Sequence, residues 1–230
     1  MATGLFITGT GTGVGKTYIG ALLAQALRSA GNRVGVYKPV ASGCAVHTGM
    51  LVSSDAMVLW EAAGRPGTLE QVCPQLFAAP LVPHLSAKTE GRRVDRAQLR
   101  DGIEFWRAAS DIVLVEGAGG LMSPISDDDY NADLAAEFGY PLLIVAANEL
   151  GTINATLQTL LTARTYGRGL SVVGVVLNSP NRRANDPSIE SNADELALRC
   201  GVPLLSVVGH ETGFDRQVDW SSLCATACGR

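Results

Sequence analysis

Gly9-Thr10-Gly11-Thr12-Gly13-Val14-Gly15-Lys16-Thr17 is the stretch that decides the fold. It follows the apolar run Leu5-Phe6-Ile7 and opens residues 16–29, where Ile19, Leu22, Leu23 and Leu27 stand at helical spacing. Strand, glycine-rich turn and helix, in that order, are the context a phosphate-binding loop requires. Glycines let backbone N–H groups turn towards phosphate oxygens with no Cβ in the way. The helix start adds the positive end of its dipole. Lys16 supplies a point charge for the β- and γ-phosphates, and the Thr17 hydroxyl a hard oxygen for Mg²⁺. The usual spacing GxxxxGK[ST] needs glycine at position 10, where this chain has Thr10. Counted from Gly9, the loop therefore carries one extra residue. The plain alternative is a glycine-rich turn that holds no ligand.

Outward from this loop, further short apolar runs punctuate the chain. They are Arg33–Tyr37, Ile112–Val115, Leu142–Ala146, Val172–Leu177 and Pro203–Val208. Each is β-branched and nearly continuous rather than alternating, as in parallel strands covered by helices on both faces. Helices are expected over 16–29, 54–63, 95–109 and 152–166, with Gly31 and Gly167 as stops after the first and last. Strand and helix alternate, which predicts an α/β fold: one doubly wound, mostly parallel sheet flanked by helices. The whole of residues 1–230 is expected to form a single P-loop domain. Residues 41–110 are the least regular, with a Pro-rich loop at Pro74, Pro80 and Pro83, and the tail after Gly209 has no clear pattern.

Composition narrows the function classes. Hydrophobic residues make up 47% and charged residues 17%, which fits a compact globule rather than a disordered chain. The net charge of −4 gives no electrostatic footprint for nucleic acid, and no basic cluster suits an acidic membrane. No apolar stretch reaches the roughly 20 residues of a membrane span, and the start of the chain lacks a basic leader, so a cytoplasmic protein is expected. The five cysteines are odd in number and irregularly spaced, which reads as reduced thiols. Cys224 and Cys228 suit one helix face, but no neighbouring Cys or His completes a zinc set.

Only three of the 18 basic residues are lysine: Lys16, Lys38 and Lys88. Lys16 and Lys38 follow the first two strand runs, and such ends face the ligand crevice of a doubly wound sheet. Pro39 holds Lys38 extended, and the small polar loop after it leaves the ammonium free to meet a substrate anion or a transferring phosphoryl group. The alternative is a solvated surface lysine. Glu116 is read as ending its strand, in Val115-Glu116-Gly117-Ala118-Gly119-Gly120, where an acidic group can hold Mg²⁺. Asp55 in Ser53-Ser54-Asp55 is alone a candidate helix N-cap; with Thr17 and Glu116 it completes an all-oxygen Mg²⁺ set. Asp127-Asp128-Asp129 is expected to be a solvated run, and His84 a structural loop residue.

Together these motifs resemble the dethiobiotin synthetase family. The matching pieces, over about residues 4–180, are Thr8-Gly9-Thr10 through Lys16-Thr17, Tyr37-Lys38-Pro39-Val40-x-Ser42-Gly43, Ser54-Asp55-Ala56, Pro83-His84, Glu116-Gly117-Ala118-Gly119-Gly120 and Leu150-Gly151-Thr152-Ile153-Asn154. The extra residue in the phosphate loop is the family's own form. The resemblance implies an ATP-dependent ligase that joins CO₂ to 7,8-diaminopelargonate and closes a ureido ring, with Mg²⁺ as cofactor and a homodimer as the working unit. It implies catalytic roles for Lys16 and Lys38. Nucleotide contacts fall on Gly13, Val14, Gly15, Lys16 and Thr17, on Gly117, Ala118 and Gly119, and on Asn178 at the adenine. Thr17, Asp55 and Glu116 would hold the metal. Thr12 and Ser42 would touch the substrate, and Gly151, Thr152 and Asn154 would take its carboxylate tail from the neighbouring subunit. Two departures stand out: Gly13, where some members carry an acid, and Val208-Gly209-His210-Glu211, where relatives often have a Pro-containing segment.

Two other readings share the architecture. A cobyrinate-type amide synthetase needs a glutaminase domain, for which 230 residues leave no room. A partition-type ATPase usually carries a further lysine early in the loop, where this chain reads Gly-Thr-Gly-Thr-Gly. The absence of Asn-Lys-x-Asp argues against a guanine-specific GTPase.

Overall fold

A computed structural model describes residues 2–181 and 186–225. The strands are β1 (Thr3–Gly9), β2 (Val34–Tyr37), β3 (Ala45–His47), β4 (Met50–Val52), β5 (Ile112–Gly120), β6 (Leu142–Ala147), β7 (Val172–Asn178) and β8 (Leu204–Val208). The helices are α1 (Lys16–Ser29), α2 (Ser54–Ala62), α3 (Leu69–Val72), α4 (Pro83–Thr89), α5 (Arg96–Ala109), α6 (Asn131–Phe138), α7 (Thr152–Thr165), α8 (Ser188–Arg199) and α9 (Trp220–Ala225).

Six strands form one sheet in the order β2-β5-β1-β6-β7-β8, every neighbouring pair parallel. All six apolar runs are therefore strands of this sheet. Leu5, Phe6, Ile7, Val113, Leu143, Ile144 and Val145 have no solvent exposure. Helices α1, α5, α6 and α7 pack against the sheet, so both inward and outward side chains of a strand meet apolar neighbours. A fully buried Leu, Ile or Phe contributes about 1.5–3 kcal/mol, which makes the core the main source of stability. β1 lies between β5 and β6: from β1 the chain goes to β2 on the β5 side, and after β5 it crosses to β6 on the other side. That is the switch point at which such sheets bind ligands.

The expected helices are present within a residue or two of their bounds. Gly31 and Gly167 both adopt positive φ, as their stop positions require. Several expectations need correction. Glu116 does not end β5: after a register shift the strand runs on to Gly120, which pairs with Gly9 of β1. His84 is not in a loop but in α4, where Pro83 takes the first helical position and its missing N–H costs nothing. The N-cap of α2 is Ser53, whose side chain accepts from Ala56 N–H; Asp55 lies within the first turn. The triple-aspartate run is not simply solvated. Asp129 is buried and held by Arg96, Arg100 and Ser126, while Asp127 pairs with Lys88 and Asp128 with Arg96.

Sequence reading missed the β3–β4 hairpin, α3, α6 and α8. The hairpin turns at Thr48-Gly49 and is too short and exposed to leave an apolar pattern. The tail acquires a structure too. Beyond β8, Phe214 bridges back to Val208 and stacks on Trp220, and α9 packs against β1 and α1. Cys44, Cys73, Cys200 and Cys224 are buried free thiols; burial pushes the thiols of Cys73 and Cys224 up to about 12. Cys228 lies outside the described residues.

Candidate active site

Sequence places a glycine loop at the end of β1, and packing shapes it into a cradle. α1 begins at Gly15, which is left-handed (φ 91°), and no side chain caps the helix, so its first N–H groups face the cleft. A Cβ at Gly15 would stand 2.1 Å from Asn178 Nδ2, so glycine is needed for space as well as for φ. Asn178, at the end of β7, donates from Nδ2 to the Val14 carbonyl (2.9 Å) and so ties the loop to the far half of the sheet. Lys16 is buried and donates to the Gly11 carbonyl (3.1 Å). Burial lowers its pKa, and the Lys38 charge lowers it further against the pull of Glu116 and Asp55.

Lys38 is the hub of a buried charge cluster. Its Nζ lies 2.5 Å from Glu116 Oε1 and 2.9 Å from Asp55 Oδ2. Burial alone would depress its pKa, but the two carboxylates overcome that and hold it raised, so the ammonium is charged at any working pH. Asp55 moves the other way. Desolvation opposes its charge, yet Lys38 and Thr17 keep its carboxyl below the usual range. Glu116 Oε1 also accepts from Thr17 Oγ1 (2.9 Å), whereas its Oε2 is buried with no hydrogen-bond partner among the described residues. Thus α1, the turn after β2, β5 and α2 deliver Lys16, Thr17, Lys38, Glu116 and Asp55 to one point.

The set fits Mg²⁺. A hydroxyl and two carboxylates are hard oxygen donors, and this ion is usually held by one or two carboxylates together with substrate phosphates. The unpartnered Glu116 Oε2 is the atom that most needs a cation or a water.

These groups line a cavity of about 690 Å³, large enough for a small organic ligand with its polar contacts. Of the residues expected from sequence, Thr12, Gly13, Gly15, Lys16, Thr17, Lys38, Ser42, Asp55, Glu116, Ala118, Gly119 and Asn178 line it. Ser42 donates to the Leu81 carbonyl at 2.5 Å. Val14 does not line it: its carbonyl accepts from Asn178 and its side chain is in the core. Gly117 does not line the cavity; it packs against Asn131, which holds both the N–H and the carbonyl of Ala118. Gly151, Thr152 and Asn154 are also outside it. They open α7, again from a left-handed glycine with no side-chain cap, and the Thr152 Oγ1 is buried without a partner among the described residues. Six lining residues were not read from sequence: Tyr18, Ala41, Ser179, Pro180, His210 and Glu211. Their signal was position alone, in turns after strand ends or directly after the Lys-Thr pair.

A parallel sheet in this order, with an uncapped helix opening from a glycine loop at its switch point and lysines and carboxylates gathered below it, defines an α/β P-loop nucleotide-binding protein. The AAA domain family matches residues 3–217. An ATP-dependent dethiobiotin synthetase BioD of Rhodopirellula baltica is 45% identical over 93% of this chain and 86% of its own, and that of Bacillus licheniformis 39% over 89% and 84%. The chain belongs to the ATP-dependent dethiobiotin synthetase family. Among solved structures it is similar to the septum site-determining protein MinD of Pyrococcus horikoshii in complex with Mg-ADP (TM-score 0.54, 20% identity, 92% of this chain and 82% of that one) and to a ParA family ATPase of Chlorobium tepidum (TM-score 0.53, 18% identity, 91% and 84%). At those identities the likeness is one of fold alone. No helix among the described residues is long and apolar enough to cross a membrane.

Proposed function

We propose that this chain, acting as one domain over residues 1–230 in the cytoplasm, uses ATP, Mg²⁺ and CO₂ to convert 7,8-diaminopelargonate to dethiobiotin. The observation that carries the reading is the convergence of two ammonium groups, a hydroxyl and two carboxylates on one cavity below an uncapped helix start. Family membership supports the overall reaction.

One amine of the substrate takes up CO₂ as a carbamate and loses a proton. A carbamate oxygen then attacks the γ-phosphorus, the bond to the β-phosphate breaks, and ADP leaves. The second amine attacks the carbonyl carbon of the mixed anhydride, phosphate departs, and loss of a proton leaves the ureido ring. Lys16 and the α1 N–H groups would draw charge from the β- and γ-phosphates. Lys38 would face the carbamate and the transferring phosphoryl group, both anionic, with its charge secured by Glu116 and Asp55. Thr17, Asp55 and Glu116 would hold Mg²⁺, which supplies charge neutralisation on the phosphates. Thr12 and Ser42 would orient the diamine, so that ring closure is intramolecular.

The dipole end of α7 at Gly151, Thr152 and Asn154 suits a carboxylate, although the Thr152 N–H already donates to the Glu149 carbonyl (3.1 Å). Since these residues lie outside the cavity of their own chain, a homodimer in which they meet the partner's substrate fits both facts. Purified protein should release ADP rapidly only when diamine and bicarbonate are both present. Turnover indifferent to the diamine but raised by DNA or lipid would instead favour a partition-type ATPase.

A further inference from the structure

Between Glu116 and Gly120 the sheet loses its register. β5 takes four positions from Glu116 to Gly120 where β1 takes two from Ile7 to Gly9, and pairing with β2 ends at Val115. Gly117, Ala118 and Gly119 therefore bulge out of the ladder. A backbone N–H and carbonyl that leave a ladder need other partners. Asn131, the first residue of α6 and only 1% exposed, supplies them. Its Oδ1 accepts from the Ala118 N–H (3.1 Å), and its Nδ2 donates to the carbonyls of Ala118 (2.7 Å) and Gly120 (2.7 Å). One side-chain amide thus meets both groups of one residue, as the peptide of a neighbouring strand does.

The amide is itself fixed. Asn131 N–H donates to the Ser123 carbonyl (3.2 Å) and Ala132 N–H to the Leu121 carbonyl (3.1 Å), so the chain between β5 and α6 is closed at its base. Two residues before Asn131, Asp129 is anchored by Arg96 and Arg100 of α5. Ser123 Oγ accepts from the Gly120 N–H (2.9 Å) and closes the far end of the bulge. Gly117 is what lets the amide approach, since a Cβ there would stand 2.7 Å from Asn131 Oδ1. The bulge in turn is a wall of the active cavity. Ala118 and Gly119 line it beside Lys16 and Lys38, and a Cβ at Gly119 would stand 3.5 Å from Thr12 Oγ1 of the phosphate loop. Asn131 does not line the cavity.

We propose that Asn131 is a positioning residue for nucleotide binding: it holds the Ala118–Gly119 bulge against the phosphate loop, so that the β5 wall of the cavity has one shape before the nucleotide arrives. A wall already in place costs no ordering when the ligand binds. Bulges beside a site commonly serve to aim the chain in this way. The inference rests on the ATP-dependent reading of this cavity and adds the residue, outside it, that sets its β5 wall.

The test uses Asn131→Asp and Asn131→Ala. The aspartate keeps the size and the acceptor but, ionised, has no donor, so its carboxylate faces two carbonyls. An acid suits the first turn of α6, so the helix itself is not weakened. Wild type and both variants are titrated with Mg·ATP by calorimetry in the absence of diamine. Affinity should fall about tenfold in Asn131→Ala and further in Asn131→Asp, as backbone groups lose their partners. A role in stability alone would lower the folded fraction, and with it the calorimetric stoichiometry and kcat, but would leave Kd unchanged in the molecules that bind. Asn131→Ala carries no charge and decides the matter if the aspartate variant does not fold. Wild-type Kd in the variants overturns the positioning role and leaves the ATP reading intact. A wild-type chain that binds no Mg·ATP overturns the ATP reading itself, and the positioning role with it.

Discussion

Lys38 and Glu116 form a buried ion pair, 2.5 Å from Nζ to Oε1, with neither side chain more than 4% exposed. A pair so placed adds little net stability, since desolvation offsets attraction, but loss of one partner strands the other. Lys38→Met should therefore cost about 3–5 kcal/mol of stability. It should keep Mg·ATP binding and lower dethiobiotin formation by about 10²–10³-fold, the usual effect of removing one charge-stabilising donor. The double variant Lys38→Met/Glu116→Gln should recover stability in urea titrations without recovering synthesis. Normal product formation by Lys38→Met, followed by chromatography, would remove Lys38 from the chemistry.

Gly15→Ala tests the cradle. The added methyl group meets Asn178 Nδ2 at 2.1 Å in a backbone held at φ 91°. Nucleotide affinity should fall by more than about 100-fold, through strain and displacement of the loop together. The sheet should survive, because Gly15 lies outside it. Far-ultraviolet circular dichroism and nucleotide calorimetry on the same sample separate the two; unchanged affinity would mean that the loop does not grip phosphate.

Acid stability should follow Asp129. Its carboxylate is buried, and hydrogen bonds from Arg96, Arg100 and Ser126 outweigh desolvation and depress its pKa far below the usual carboxylate range. A depressed folded-state pKa stabilises fully above the unfolded value, about 3.9, and the contribution fades as pH falls below it towards the folded value. Asp129→Asn should thus cost about 2–3 kcal/mol at pH 7, with the gap to wild type narrowing below about pH 4. Urea midpoints at pH 7 and pH 3.5 decide it. A gap that is constant with pH would show that the carboxylate's charge plays no part.

Metal dependence should map onto three oxygens. Chelation with EDTA should abolish diamine-dependent ADP release, and Mg²⁺ should restore it. Asp55→Asn should raise the Mg²⁺ needed for half-maximal rate about tenfold, because one charge-assisted ligand becomes neutral. Thr17→Ala should do so more mildly. Mn²⁺ binding by electron paramagnetic resonance, with a non-hydrolysable nucleotide present, gives a readout independent of turnover; full Mn²⁺ affinity in Asp55→Asn would exclude Asp55 as a ligand.

Much of the site was legible because its chemistry is local in sequence. Lys16 and Thr17 are fixed by the loop they end, and Lys38 was marked by Pro39 and by the scarcity of lysine. Asp129 was misread because the two arginines that bury it lie 33 and 29 positions upstream, and a run of like charge carries no trace of them. His210 and Glu211 were missed as lining residues for a similar reason: a turn after the last strand faces the cavity only because β8 stands beside β7 and Tyr18 straps the turn down.

By itself the sequence determined the six buried strands, the four helices α1, α2, α5 and α7, and a glycine loop in the right context, since hydrophobic period and backbone freedom act over a few residues. Only the tertiary structure decided which atoms meet. That Lys38 sits between Glu116 and Asp55, that Asn178 seals the loop at Gly15, and that β5 runs on past Glu116 all follow from strand order. Strand order is set by how whole faces bury against each other, and no local pattern encodes that.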